Sequence, residues 1–242
     1  MKKLLIAAGL LLASTFAFAN IELDVNMYGT LAKAMGTETI DSVNNGEKLK
    51  TDYTQPFAFG FEDNVSFYFG HRESKFDAGL SLFLNVDFFN KLEAKPKDGD
   101  KTSTSGSGCN IGFGIGPAFR ITFANPFSLF IRPTLGFNLL VFESEDIKDA
   151  TTSGSYKRTV AEFDIFRFDV NVGGRSWLLN VDGFHLGIDY GAIIGLGAGF
   201  GAYGTKGSGS SSSGDGFGAG TADVKIYLGC CLNFGDRGYD RM

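Results

Sequence analysis

The largest set of residues able to do chemistry in this chain is ionic. Glu22, Asp24, Glu62, Asp77, Asp87, Glu162, Asp164, Asp169, Asp189 and Asp223 alternate with apolar neighbours, and so do Arg120, Arg132, Arg167, Arg175 and Lys225. An isolated charge in an apolar enclosure is costly, so groups gathered this way must pair or hold water. Fully paired, they form a plug of ion pairs. With the acids in excess and water between them, they line a narrow path that prefers cations.

The nucleophilic and metal-ligating residues are few. There are two His, His71 and His185, and three Cys, an odd count for an exported chain. Cys230 and Cys231 are adjacent and point to opposite faces of a strand, a poor geometry for bridging each other. Cys109 lies roughly 30 Å away in height at ~3.3 Å per residue, so free and largely buried thiols are expected. His185 and Cys231 sit where neighbouring strands bring them close, but two ligands do not make a metal site, and none is expected. Asp98-Gly99-Asp100 reads as a hairpin tip rather than a calcium loop. Gly199-x-Gly201-x-x-Gly204 formally matches a dinucleotide fingerprint. Ser210 to Ser213 and Gly214 come after it and cannot open the helix that such a site requires, so it reads as a loop and no cofactor is expected.

What must position the ionic set is a chain of 242 residues, a size suited to one domain, with 34 Gly and 25 Phe against 5 Pro and 1 Trp. Mean hydropathy of +0.02 excludes a bundle of transmembrane helices, and a pI of about 5.1 argues against nucleic acid. The start is an address: Lys2 and Lys3, the apolar stretch Leu4 to Leu12, then Ala17-Phe18-Ala19, which together read as a cleaved signal peptide over 1–19. Removing Lys2 and Lys3 leaves 20 basic and 27 acidic residues, a net charge of −7.

Apolar residues then recur at every second position, the period of a strand with one apolar face. Ile21, Leu23, Val25 and Met27 begin the pattern, and Ala222, Val224, Ile226, Leu228, Cys230, Leu232 and Phe234 end it. Eight such rows are present, an even number. Parity slips at Ile165–Phe166, which predicts a β-bulge, and again at Trp177 and Leu179. Segments 36–55, 90–108, 144–158 and 201–217 are polar and long, whereas 71–75, 124–126 and 180–183 are short turns. Long and short in alternation is the connectivity of an up-and-down barrel with one rim facing outward.

The polar face separates lipid from water as the outer medium. Its mid-strand positions are mostly Gly, Asn, Ser, Thr, acids and Arg, with Lys225 the exception among lysines, and runs such as Gly112, Gly114 and Gly116 suit a crowded interior. The apolar rows also end in aromatics at two levels. Phe69, Phe76, Phe123, Phe127, Trp177, Phe184 and Phe234 would ring the short-turn rim, and Phe57, Phe88, Phe142, Phe163 and Phe200 the other. Two interfacial girdles explain both sets, and a soluble core explains neither.

On this pattern the chain resembles the small eight-stranded outer-membrane barrels of diderm bacteria, the class that includes OmpX, OmpW and the OmpA membrane domain. The terminal row Leu228, Cys230, Leu232, Phe234 looks like the assembly signal of that class, although eight residues follow Phe234 here, where members often end. Barrel enzymes of this size place a His near the outer rim, whereas His71 and His185 both fall toward the short turns, so no enzyme is expected. The expectation is therefore all-β: an eight-stranded antiparallel up-and-down transmembrane β-barrel over 20–234, after a cleaved signal peptide and before a short periplasmic tail, 235–242. It would reside in the cell outer membrane as a monomer surrounded by lipids, with a charged and plugged lumen. Its role would be structural or adhesin-like, touching host or cell-surface ligands through loops rich in charge, such as Lys91, Lys95, Lys97, Lys101 and Glu143 to Asp149. A narrow porin-like channel or solute conduit is the alternative.

Overall fold

In the computed structural model the described residues are 20–41, 48–69, 75–97, 100–124, 127–148, 155–181, 184–207 and 210–234. The expected signal peptide, the tail 235–242, His71 and most of Asp98-Gly99-Asp100 lie outside them. Alternating sequence becomes strand: β1 Asn20–Asp41, β2 Lys48–Gln55, β3 Ala58–Tyr68, β4 Phe76–Pro96, β5 Thr102–Ala124, β6 Phe127–Ser144, β7 Ile147–Lys148, β8 Ser155–Val181, β9 Phe184–Gly207 and β10 Ser210–Phe234. Every pairing between them is antiparallel, and β1 pairs with β10 from Ile21↔Phe234 to Ala34↔Ala222, which closes the sheet on itself. Closure leaves no free edge along the paired wall.

β2 and β3 each pair with β1 on one side and β4 on the other. They are one stave interrupted at Pro56, which has no N–H to give to a ladder. With the two-residue β7 as a side pairing on β8, the wall has eight staves.

The outer face carries Val25, Met27, Phe59, Phe61, Leu84, Ile111, Phe113, Leu135, Ile194, Ile226 and Leu228, all exposed. Polar and charged side chains are buried on the inner face. Apolar outside and polar inside inverts a water-soluble protein and is the arrangement of a barrel in lipid. Around the short-turn rim, Phe123 stacks on Phe127 at 6.4 Å and Phe184 meets Phe234 edge-on at 5.8 Å. At the opposite level Phe163 stacks on Phe137 at 6.4 Å and meets Phe200 at 5.9 Å. Phe57, Phe69, Phe76 and Phe88 also stand on the outer face.

Two girdle expectations are corrected. Phe142 and Trp177 are buried on the inner face, 1% and 5% exposed. Strict alternation from Val141 turns Phe142 inward beside Leu140, where it stacks on Phe89 at 5.7 Å. Trp177 keeps the inward parity of Arg175, and its indole Nε1 donates to Ser128 Oγ at 3.3 Å. The slip follows Trp177, where Leu178 and Leu179 both face out. The earlier bulge stands where parity placed it: Ile165 and Phe166 both face out, and the register shifts between Asp164 and Phe166.

Three of the segments expected to be long loops, 36–55, 90–108 and 201–217, are largely strand. β4 runs on to Pro96, β5 starts at Thr102, and β9 and β10 stay paired up to Gly207 and Ser210. Gly199, Gly201 and Gly204 therefore lie on β9 and not in a loop. Phe88 pairs with Cys109, so residues 102–108 of β5 stand beyond the upper aromatic level. Their Ser, Thr and Gly composition reads as loop. In a closed wall, ladder hydrogen bonds on both sides hold the strand without an apolar face.

Candidate functional site: the lumen

All fifteen residues expected to form the ionic set are on the inner face and 5% exposed or less. They divide by their bonds. Toward the short-turn end, Arg175 reaches across the barrel from β8. Its Nε and Nη2 donate to the two oxygens of Asp189 at 2.6 Å each, Nη2 also donates to Asp24 at 2.7 Å, and Nη1 bonds Glu22. Arg120 donates to Asp77 through Nε at 3.0 Å and to Glu22 through Nη1. Arg132 contacts Asp24 and lies over the ring of Phe130 at 4.3 Å. Four carboxylates thus share three guanidiniums in a lattice joining β1, β4, β5, β6, β8 and β9. Bidentate, charge-assisted bonds of this kind are the strong ones.

In mid-lumen, Glu62 accepts from Asn64 at 2.8 Å and Asn171 at 3.1 Å, while the Lys225 ammonium sits 4.5 Å from the centre of the Tyr28 ring. The Tyr227 hydroxyl donates to Asn171 Oδ1 at 2.8 Å. Tyr28, Phe130, Ile193 and Tyr227 pack together here.

Above them Arg167 Nη2 donates to both Asp169 and Asp223 at 2.7 Å. Thr221 on β10 donates to Asp164 on β8 at 3.0 Å. The Arg167–Asp223 and Thr221–Asp164 bonds pass over β9, and Gly195 and Gly197 explain how. A Cβ at Gly195 would lie 2.1 Å from Arg167 Nη2, and one at Gly197 would lie 2.2 Å from Thr221 Oγ1. Glycine at these positions lets β8 and β10 bond across an intervening strand. Elsewhere Phe89 occupies the space over Gly108 and Phe83 that over Gly114. These lumen glycines make room for neighbouring side chains rather than for a channel.

The upper end differs from what the sequence implied. Met35, Tyr53, Ala58, Phe89, Leu92, Leu140, Phe142, Val160 and Ala219 form an apolar cluster inside the barrel. The Arg158 guanidinium lies over Tyr203 at 5.0 Å and Tyr53 at 5.5 Å, and donates to the Tyr53 hydroxyl at 2.5 Å. Outside the lipid-facing wall, Lys101 bridges Glu93 at 2.5 Å and Lys157 bridges Glu143 at 3.1 Å. The hydrogen bond from Lys101 holds the Glu93 carboxyl below its ordinary range, and that to Glu143 holds the Lys157 ammonium above its own.

Two charged residues escaped the sequence reading. Lys33 is buried, with Nζ 3.7 Å from Glu162 Oε1 and 3.4 Å from Asn110 Oδ1. Leu31 and Ala32 both face outward at a register shift, which turns Lys33 in; the adjacent apolar pair was the available signal. Asp63 faces outward between Val25 and Leu84, its partners on β1 and β4. It is six residues from Phe57 and six from Phe69, hence midway between the aromatic levels. Among the described residues it is the one charged side chain on that belt.

The thiols are free, but Cys230 is exposed on the outer face, contrary to the burial expected; Cys109 is half-buried and Cys231 buried. His185 is buried against Trp177 at 6.2 Å, edge to face. Glu22, Asp24 and Cys231 have ligand atoms within 4.8 Å of one another. Three guanidiniums already engage the two carboxylates.

No protein-family model matches the chain, and no curated protein sequence is similar to it. The fold is similar to that of the outer membrane protease OmpT from Escherichia coli, at a TM-score of 0.50 and 10% identity over 89% of this chain and 96% of that one. It is also similar to the outer membrane protein OprG from Pseudomonas aeruginosa, at 0.48 and 10% over 90% and 96%. A major outer membrane protein from Thermus thermophilus aligns at 0.47 and 14% over 88% and 99%. At such identities the likeness to OmpT shows the fold alone. A closed antiparallel barrel with an apolar outer belt between two aromatic girdles is a transmembrane barrel of the bacterial outer membrane.

Proposed function

We propose that the protein is a closed, non-enzymatic, monomeric barrel that serves a structural or surface-contact role, with its lumen acting as a plug. The observation that carries this reading is the occupation of the lumen by side chains at its lower end, its middle and its top. Guanidinium–carboxylate pairs occupy the lower end, Tyr28, Phe130 and Tyr227 the middle, and the Phe89–Phe142 cluster the top. Eight staves enclose an interior that side chains can fill. The contact surface would be the paired strand ends beyond the upper girdle, with their Lys and Glu side chains. Planar-bilayer recordings of the purified protein test the plug. Silence is expected, and steady ion-selective steps would replace the plug with the second reading, a narrow conduit. What favours that reading is the acid excess of the upper lumen, where Asp87, Glu162, Asp164, Asp169 and Asp223 face Lys33 and Arg167. For the non-enzymatic part, peptide and lipid-ester turnover should match a heat-denatured control.

A further inference from the structure

The acid excess is concentrated on particular oxygens. Glu162 Oε2 accepts from the Gly36 N–H at 3.3 Å, Asp164 Oδ2 from Thr221 at 3.0 Å and Asn138 at 3.3 Å, and Asp223 Oδ2 from Arg167 at 2.7 Å. The second oxygen of each carboxylate, Glu162 Oε1, Asp164 Oδ1 and Asp223 Oδ1, is buried and accepts no hydrogen bond. Nearby amides repeat the pattern independently. Asn138, bonded to Asp164 through its nitrogen, leaves Oδ1 without a donor, and so does Asn85. Both of these oxygens lie over Gly112, that of Asn85 2.3 Å and that of Asn138 3.3 Å from where its Cβ would be, so two acceptors face one space. Gln55, fully buried and in register with Lys33, has neither amide atom bonded. In the lower lattice the atoms lacking a hydrogen bond include Asp24 Oδ2 and the three guanidinium nitrogens of Arg132, and there Arg132 Nη2 and Asp24 Oδ2 face each other as an ion pair.

Lys33 pairs with Glu162 at 3.7 Å, and Arg167 pairs with Asp164 at 3.8 Å and with Asp169 and Asp223 at 2.7 Å each. Two cations for five buried carboxylates leave an excess that must be protonated or must bind a further cation. We propose that the upper lumen binds a hard, partly hydrated divalent cation, Ca²⁺ or Mg²⁺, at the free oxygens of Asp164 and Asn138, with Glu162 and Asp223 completing the charge. Donors that are all oxygen select hard cations over zinc or copper. Among the described residues no three carboxylates converge within 4.8 Å at this level. The ion therefore keeps several waters, and binding is weak. This rests on the plugged reading, since a bound ion neutralises the plug.

The test uses the full-length barrel, refolded in detergent and stripped with chelator. Direct Ca²⁺ binding is measured by calorimetry, and the folded fraction on heating is followed with added Ca²⁺, Mg²⁺ or Na⁺ at matched ionic strength, at neutral and mildly acidic pH. Saturable binding of one divalent ion per barrel is expected, together with a rise in melting temperature that Na⁺ does not reproduce. Asp164→Asn should weaken binding at least tenfold, while Glu93→Gln at the rim leaves it unchanged. Asp164→Asn removes a buried charge and should fold without the ion; should it fail to, Asp223→Asn carries the same expectation. Absence of saturable binding, with stability rising only on acidification, would overturn the cation in favour of protons. Loss of binding in Glu93→Gln but not in Asp164→Asn would overturn the site. Conductance on the same samples separates the two readings: current steps defeat the plug, and a silent barrel without bound ion defeats the inference.

Discussion

The two ends of the lumen solve one electrostatic problem in different ways. Below, Glu22, Asp24, Asp77 and Asp189 share Arg120, Arg132 and Arg175, and these ion pairs tie six strands together. Above, five carboxylates meet two cations, and an apolar cap closes the barrel over them. Guanidinium forks cross-link staves at a fixed spacing, which suits the end where turns are short. The upper end is held by packing and ladder bonds and leaves oxygens unspent.

That contrast is easiest to break from below. Arg175→Met leaves Glu22, Asp24 and Asp189 buried with less compensation, and breaking one partner of a buried ionic network costs about 3–5 kcal/mol. Urea titration of the folded barrel in detergent should show this as the largest loss of any single variant considered. Phe142→Ala removes half of the stacked pair with Phe89 and should cost about 3 kcal/mol, without altering the lower lattice. If instead the two losses combine far from additively, the ends are coupled and the division fails. Gly195→Ala places a methyl 2.1 Å from Arg167 Nη2, so the bonds to Asp169 and Asp223 must shift. A loss of about 1–3 kcal/mol is expected, with a wild-type lower lattice. Asp63→Leu runs the other way: removing a carboxylate from the lipid belt should raise stability in bilayers by about 1 kcal/mol and do little in detergent.

The smallest effect belongs to the rim. Glu93 is held below the ordinary carboxylate range by Lys101, so its bridge contributes above that range and is lost as pH falls through the lowered value. Lys157 is held above its ordinary range by Glu143, so that bridge contributes below the range and is lost as pH rises through the raised value. The Lys157–Glu143 pair is solvent-exposed, Lys101 is exposed and Glu93 half-buried at the rim, and Glu93→Gln should leave the melting temperature unchanged within error.

Parity made the wall and its ionic set legible, because a period of two assigns every side chain to a face. Where a bulge interrupts it, the assignment fails for the residues downstream: Lys33 beyond Leu31–Ala32 could not be placed by counting, and the slip near Trp177 was set one residue too early. Phe142 was misplaced for a different reason, since an aromatic near a strand end suggests a girdle even when its parity points inward. The apolar cap was illegible because it assembles in part from Tyr53 and Leu92, in segments whose composition reads as loop. Asp63, by contrast, was visible at outward parity between Phe61 and Val65.

The height of the wall has a consequence for contact. β5 continues for seven residues from Cys109, level with Phe88, to Thr102. At ~3.4 Å per residue and a tilt near 40°, its tip stands roughly 18 Å outside the hydrocarbon. The screening length in physiological salt is about 8 Å. A partner arriving at Lys101 therefore meets a charge almost decoupled from the membrane surface, and its approach should be the same over anionic and zwitterionic lipid.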